Sequence, residues 1–514
     1  MIIGNRSRRW AGLAVLAASL AMIVLDGTVV GVALPTVIAD LHLDLTDAQW
    51  VNSLYSVVFA ALLITAGRIG DRFGRRRLLL IGLAVFVLGS VCAALSSGIG
   101  ALLGARALQG LGGALVLPST LSAVNATFRG RDRATAFGIW GAVMSGAAAL
   151  GPLLGGWLTQ LGSWRLVFWV NVPIGILVLV AAILLVDENR SGAVGRAGLD
   201  IGGTLLSAAG LGLIVFGLIE SSTLGWWRPK AVLDLPGLSW PTTAPISPVP
   251  VAIAVGGLLL FAFVGWESRR RRIGRATVLD LGLFGIRTFV FGNVTAMLVA
   301  VGEFALVFVL PLFLITSLGL STLAAGLVLA AMAAGAFVSG AAARHLAAAI
   351  GATRVVVLGL ALEVVGAALT AVTVGLSGPG WSVALTLLPY GLGLGLASAQ
   401  LTSTTLRDIP TDRSGSGSAT QSTVRQLGSA LGSAVGGATL AGVLGGRATP
   451  GPDTDPATFA TAGAAAIWAS VSILAIALVA AWRLDRVSGR RPDQPINVGD
   501  GGTTSRPTAS YRRG

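Results

Sequence analysis

Cysteine, histidine and lysine are nearly missing from these 514 residues: one Cys, two His and a single Lys, Lys230. Cys92 lies in an apolar run and has no intramolecular partner, which excludes an internal disulfide and a CxxC site. His42 and His345 are too few for an imidazole metal cluster, so no metal and no cofactor is expected. Charge is scarce as well, at 11% Asp, Glu, Lys and Arg, against roughly 25% in ordinary globular chains. The length would otherwise suggest about three soluble domains. Their absence leaves no room for a soluble catalytic domain, and an enzyme is not expected. The formal charge of +14 is not arranged as an aromatic-interleaved basic patch, which argues against nucleic acid. No lipidation motif and no obligate protein partner is evident.

What is present is apolar sequence: 54% hydrophobic residues and a mean hydropathy of +0.82 spread over nearly the whole length. A bilayer crossing needs about 20 apolar residues. Fourteen runs fit, at 11–34, 48–66, 78–96, 100–124, 134–160, 165–186, 199–219, 251–266, 288–315, 322–343, 354–375, 381–402, 416–445 and 459–482. The first is too long for a signal-peptide core and reads as a retained helix. An even count places both termini on one side. With that side cytoplasmic, 30 of the 36 Lys and Arg residues fall in cytoplasmic segments. Only Arg165, Arg228, Lys230 and Arg447 fall outside, and Arg106 and Arg425 lie within runs. A miscounted helix would scramble this asymmetry, so the positive-inside rule supports the number and the orientation together.

The longest outer segment, Ser221 to Pro250, carries six prolines with Trp226, Trp227 and Trp240, and reads as an interfacial loop. The tail beyond Arg483 is rich in Arg, Pro, Gly, Ser and Thr, a composition of disorder. Glycine, at 71 residues, is about twice its usual share of roughly 7%, and close helix packing is one use for it.

Four motifs carry more than composition. Between runs 2 and 3 lies Gly67-Arg-Ile-Gly-Asp71-Arg72-Phe-Gly74-Arg75-Arg76-Arg77, a tight loop in which an acid can pair among arginines. Its spacing resembles the signature loop of the major facilitator superfamily, with Ile69 in place of the usual leucine. Run 1 contains Leu25-Asp26-Gly27-Thr28-Val29-Val30-Gly31-Val32-Ala33-Leu34-Pro35, which resembles the helix-1 motif of the fourteen-helix drug:proton antiporters, with Gly31 where asparagine is common. Run 4 contains Arg106-Ala-Leu-Gln109-Gly110-Leu-Gly112-Gly113, similar to that family's proton-coupling motif. Run 5 contains Gly151-Pro152-Leu-Leu-Gly155-Gly156, similar to its exporter motif. Independently of any family, Ala147, Gly151 and Gly155 recur every four residues and make a smooth face for another helix, while Pro152 removes a backbone donor and favours a bend. The resemblance implies a hinge or seal that favours export. The segment Gly340 to Arg354 falls where a second-half copy of the signature loop belongs, but keeps neither its spacing nor an acid matching Asp71.

Charges inside a bilayer segment are costly and mark functional positions by default. Counting 1.5 Å per residue puts Asp26 roughly 24 Å from the inner end of run 1 and Arg106 roughly 10 Å from the outer end of run 4. Both then lie in the outer half of the core, where an ion pair is geometrically allowed. Glu363 falls near the midplane of run 11 and Glu303 somewhat outward of it in run 9. A carboxyl away from water favours its neutral form and gives up a proton when a cation or water arrives, which is the chemistry of proton exchange; a plain hydrogen-bonded acid between helices is the alternative. Arg425 is a weaker candidate because it can snorkel to the inner surface, and Glu220, ending run 7, is expected to be wet.

The expected fold is therefore an all-α polytopic membrane protein of the major facilitator type. It has a cytoplasmic tail at 1–10, a six-helix bundle at 11–186, a linker with inserted helices 7 and 8 at 187–283, a second six-helix bundle at 284–482 and a cytoplasmic tail at 483–514. The expected function is proton-coupled export of amphiphilic or cationic drugs across the cell membrane. Asp26, Arg106, Glu303 and Glu363 are the coupling or binding residues, and drug, protons and the lipid bilayer the partners. Import or uniport of another small solute, or a membrane sensor that moves nothing, are the alternatives.

Overall fold

The computed structural model describes residues 5–128, 130–188, 200–235, 238–275, 277–409, 414–444 and 455–488. The expected disordered tail falls almost wholly outside these residues, as do the side chains of Asp71 and Arg72. The helices are α1 (Asn5–Leu41), α2 (Leu45–Phe73), α3 (Arg75–Ala94), α4 (Ile99–Thr127), α5 (Gly130–Gln160), α6 (Leu166–Trp169), α7 (Asn171–Leu185), α8 (Ile201–Leu224), α9 (Pro248–Arg272), α10 (Arg287–Leu312), α11 (Thr322–Ile350), α12 (Ala352–Gly375), α13 (Gly380–Leu406), α14 (Ser414–Val443) and α15 (Pro456–Ser488). Only Val170 separates α6 from α7, and the two make one span. Among the described residues, eleven helical stretches are long and apolar enough to cross a membrane. Helices α2, α5 and α14 are not among those eleven stretches. Helices α2 and α14 each carry a polar row, and the two rows face each other.

Local chemistry sets the helix ends. Asp44 and Asp47 form a reciprocal capping box at the start of α2, with Asp47 N 2.7 Å from Asp44 Oδ1. Ser247 and Ser321 cap α9 and α11. The signature segment is not an open loop. Helix α2 runs to Phe73 and α3 begins at Arg75, so the whole reversal rests on Gly74 at φ +111°. Glycine alone adopts that geometry without strain. The expected loop at 340–354 is likewise helical up to Ile350, and the turn into α12 is made by Gly351 at φ +93°. Two reversals of the same construction, one in each half, replace the weak sequence likeness.

In the outer segment, α8 continues to Leu224 and α9 starts at Pro248, where proline is tolerated in the first turn. Between them β1 (Leu233–Leu235) pairs antiparallel with β2 (Leu238–Trp240). Trp240 Nε1 donates to Ile246 O at 2.9 Å, and Trp227 is 71% exposed.

Helices α1–α7 pack together, as do α10–α15, and α8 with α9 stand beside the junction. On the side away from the termini one apolar core joins both groups, from Val29, Leu34, Trp164 and Phe168 to Leu306, Phe313, Leu329 and Phe459. On the side bearing the termini the cores are separate. One holds Leu16, Leu79, Phe86 and Val124, and the other Val356, Leu360, Leu401 and Leu484. Among the described residues, one core thus spans both halves at the face away from the termini, and at the other face each half has its own.

The inserted pair is fastened unequally. Helix α8 bonds to α2 along its length, through Thr223 to Thr46 (3.0 Å), Glu220 to Trp50 Nε1 (2.9 Å) and Thr204 to Thr65 (2.6 Å). Glu220 is therefore half-buried and partnered, not wet as its position at a run's end suggested. Against α14, α8 packs through apolar side chains, Val215, Leu218 and Ile219 meeting Ala430, Leu431 and Ala434. At its foot Asp200 caps α8, accepts from Trp266 Nε1 at 2.9 Å and meets Arg270 Nε at 3.0 Å. Burial pushes the Asp200 carboxyl up, but the Gly203 amide, the Trp266 indole and Arg270 outweigh it and hold it below the usual carboxylate range.

Candidate translocation site

Two polar centres occupy the two halves, and they are built differently. In the first, Asp26 of α1 is 2% exposed and Arg106 of α4 is fully buried. Arg106 Nη1 lies 2.6 Å from Asp26 Oδ2, so the pair allowed by depth is formed. Asp26 Oδ1 accepts two further hydrogen bonds, from Gln109 Nε2 and Asn171 Nδ2, both at 2.8 Å. Gln109 Nε2 also donates to Ser90 Oγ of α3 at 2.9 Å, and its Oε1 accepts from Arg106. Arg106 Nε donates to Val51 O, and its guanidinium lies 4.4 Å from the centre of the Tyr55 ring. One carboxylate thereby ties α1, α2, α3, α4 and α7 into a charge-neutral knot closed to water. Gly110 and Gly89 permit the close approach: a Cβ on Gly110 would stand 2.7 Å from Tyr55 O, and one on Gly89 2.8 Å from Gln109 N.

The glycines of α5 serve two neighbours. Cβ atoms on Gly151 and Gly155 would collide with Thr28 and Val29 of α1, the latter 2.6 Å from Val29 O. A Cβ on Gly156 would collide with Thr322 O of α11 in the other half. From the facing side, a Cβ on Gly326 would stand 2.6 Å from Pro152 O. The motif therefore lies in the seal between the halves, at the end away from the termini. The second seam is polar. Asn52 Nδ2 of α2 donates to Ser433 Oγ of α14 at 2.8 Å, Ser53 Oγ to Ala430 O at 3.2 Å, and Ser56 and Ser429 share a bond of 2.8 Å.

The second centre belongs to the C-terminal helices. Glu363 of α12 is fully buried, and neither of its carboxyl oxygens has a hydrogen-bond partner among the described residues. Its side chain lies over Gly393 of α13, where a Cβ would stand 2.9 Å from Glu363 Cγ. Glu303 of α10 is half-buried, with Oε2 likewise lacking a partner among the described residues. Arg425 of α14 is half-buried and within electrostatic reach of both acids. The Tyr390 hydroxyl of α13 is buried in the same region without a described partner.

Comparison with known proteins decides the family. The model of the Major Facilitator Superfamily matches residues 16–433. The chain belongs to the major facilitator superfamily. It is a transporter and not an enzyme. It is 32% identical to a probable actinorhodin transporter of Streptomyces coelicolor, over 91% of this chain and 78% of that one. It is 33% identical to the multidrug efflux pump LfrA of Mycolicibacterium smegmatis, over 83% and 79% of the two chains. In fold it is similar to a bacterial homologue of the human lysosomal transporter Spinster in an inward-facing, unoccupied conformation, with TM-score 0.64, 18% identity, and coverage of 95% and 100%.

Within this major facilitator chain, the structure brings Asp26, Arg106 and Gln109 together and places Glu303 and Glu363 in a separate group. In the signature segment, Gly67 packs near Pro118, and a Cβ on Gly74 would meet Glu188 Oε1 at 2.5 Å. Glu188 also accepts from Arg76 N at 3.3 Å and pairs with Arg77 at 3.9 Å. Arg75 opens α3 next to it. Sequence reasoning missed Glu188, Asn171, Ser90 and the serines of α14. Asn171 had a signal, as a lone amide in an apolar run, and α14 repeats Gly428-Ser429, Gly432-Ser433, Gly436-Gly437 every four residues. Gly428, Gly432 and Gly436 meet α10, with Cβ atoms on the first two falling 2.7 and 2.5 Å from Met297 O and Val301 O, while Gly437 faces Gln49 of α2.

Proposed function

We propose that this transporter is a fourteen-crossing proton-coupled antiporter of the cell membrane. It exports amphiphilic or cationic drugs from the cytoplasm, with both termini on the cytoplasmic side. The observation that carries the proton is Glu363: an ionised carboxylate with no donor around it is costly by several kcal/mol, and protonation removes that cost. Glu303, half-buried beside the cleft, is suited to pass the proton or to attract a cation. Asp26 and Arg106 have spent their charge on each other, and their role in this conformation is to set the frame of the N-terminal helices against which the second half moves. Export is supported by the relatives named for efflux and by the α5 glycines lying in the seal. With the termini cytoplasmic, the parted cores face inward, ready to load from the cell. One charge moved per cycle contributes about 2.3 kcal/mol per 100 mV, enough for more than tenfold accumulation outside.

Purified protein in liposomes tests this reading. Adding a cationic dye on the loading side should drive proton movement in the opposite sense, and counterflow without a gradient should persist. Dye movement with no accompanying proton movement would sink the antiporter. A panel of dyes and antibiotics in an efflux-deficient strain, with and without a protonophore, then sets the substrate range.

A further inference from the structure

We propose that Arg425 supplies the counter-charge of Glu303 and Glu363 when they lose a proton, and that its position on α14 transmits this change to the seam between the halves. The inference rests on the proton-coupled reading above. Arg425 precedes Ser429 by four residues and so shares its face of α14. Ser429 is bonded to Ser56 across the seam at 2.8 Å, the bond of this ladder nearest the parted side. Next to Ser429, Gly428 draws α14 against α10, the helix that carries Glu303. Arg425 is therefore one turn beyond the last described bond of the seam, on the termini side, and half-buried. It forms no ion pair with a described acid, although both glutamates are in electrostatic reach. A guanidinium keeps its charge at all accessible pH. Two neutral acids have little pull on it, and an ionised one attracts it strongly in surroundings poor in water.

The described charged or titratable groups around Glu363 are Glu303 on α10, Tyr390 on α13 and Arg425 on α14. Helices α11 and α15 carry charge only towards their termini-side ends, at Arg344, His345, Arg483, Asp485 and Arg486. From α2 the facing groups are Asn52, Ser53 and Ser56, which do not titrate. Arg425 is thus the one cation among the described residues that proton loss at the two glutamates would recruit. Movement of Arg425 towards them pulls on the turn holding Ser429, which is how a proton leaving the cleft changes the seam.

The experiment is ethidium efflux from proteoliposomes across a series of internal pH values. Removing the cation makes proton release harder, because the ionised acid loses its partner. For Arg425→Gln, efflux at internal pH 7 should fall roughly tenfold and return when the internal pH is raised by about one unit. Arg425→Lys should keep the wild-type profile. A wild-type pH profile in Arg425→Gln, or an equal loss at every pH, would overturn the proposal. Absence of dye-driven proton movement in the wild type would instead overturn the proton-coupled reading on which it rests. A second measurement leaves Arg425 untouched. The disulfide yield of a Ser56→Cys/Ser429→Cys pair should vary with pH, and should cease to vary in Glu303→Gln/Glu363→Gln; a yield independent of pH in the otherwise wild-type chain would overturn it too.

Discussion

The two polar centres hold the same kinds of residue and reach opposite states. Asp26 accepts three hydrogen bonds from side chains of α4 and α7, one of them from a guanidinium 2.6 Å away. Glu363, just as deep, accepts none among the described residues. An ionised carboxylate that lacks donors in a dry interior is costly, and one held by three donors is far less so. The difference teaches that burial alone does not mark a coupling residue: what counts is whether the surroundings have already answered the charge. On this view the N-terminal half is the stator and the C-terminal half carries the exchangeable proton.

The largest break in that contrast is Glu363→Gln. The amide keeps the shape but cannot release a proton, so proton-driven efflux should be lost altogether while counterflow of the same dye survives. Parallel assays of gradient-driven uptake and counterflow check it, and a variant that still couples would hand the role to Glu303. Next comes Asp26→Ala. It strands Arg106 in the interior, and removing one partner of a buried pair destabilises by about 3–5 kcal/mol. The expected readout is a large fall in thermal stability in detergent, partly recovered in Asp26→Ala/Arg106→Leu. Full stability of the single variant together with altered coupling would return Asp26 to the proton pathway and dissolve the stator reading.

Much of this was legible before any coordinates. The apolar runs located the helices, because a bilayer forces length and composition on a crossing segment. The equal depth of Asp26 and Arg106 allowed their pairing, since rise per residue converts position into height. What depth does not give is azimuth. Asn171 completes the knot because α7 happens to turn that residue towards α1, and the glycine face of α14 meets α10 because Gly428 and Gly432 let the two backbones approach. Both are rotations about a helix axis, set by neighbours that a single run does not reveal. The one-residue turns at Gly74 and Gly351 were hidden for a related reason: polar and charged residues continued the helices that composition had assigned to loops.

The motif on α5 separates the halves in a different way. Gly151→Leu or Gly155→Leu should force α5 off Thr28 and Val29 of α1, whereas Gly156→Leu should force it off Thr322 of α11 in the other half. Overpacking of this kind costs about 1–3 kcal/mol. The first two should lower thermal stability. The third should open the seal and shift the population towards the outward-facing form, with efflux slowed in proportion. Cysteine accessibility at the two mouths distinguishes them, and equal stability losses for all three would make the motif plain packing.

The smallest effect tests the polar seam. Asn52→Ala deletes one bond to Ser433 and leaves that hydroxyl its intrahelical acceptor, Ser429 O, at 3.2 Å. A net hydrogen bond is worth about 1 kcal/mol, which corresponds to roughly a fivefold change in the ratio of sealed to open forms. Distances between spin labels on α2 and α14 should broaden towards the open form by that ratio, with proton coupling intact. On the proposed reading the seam controls which face is open and the glutamates control what crosses with the drug, so a seam variant that changed the proton coupling would show the two are not separate devices.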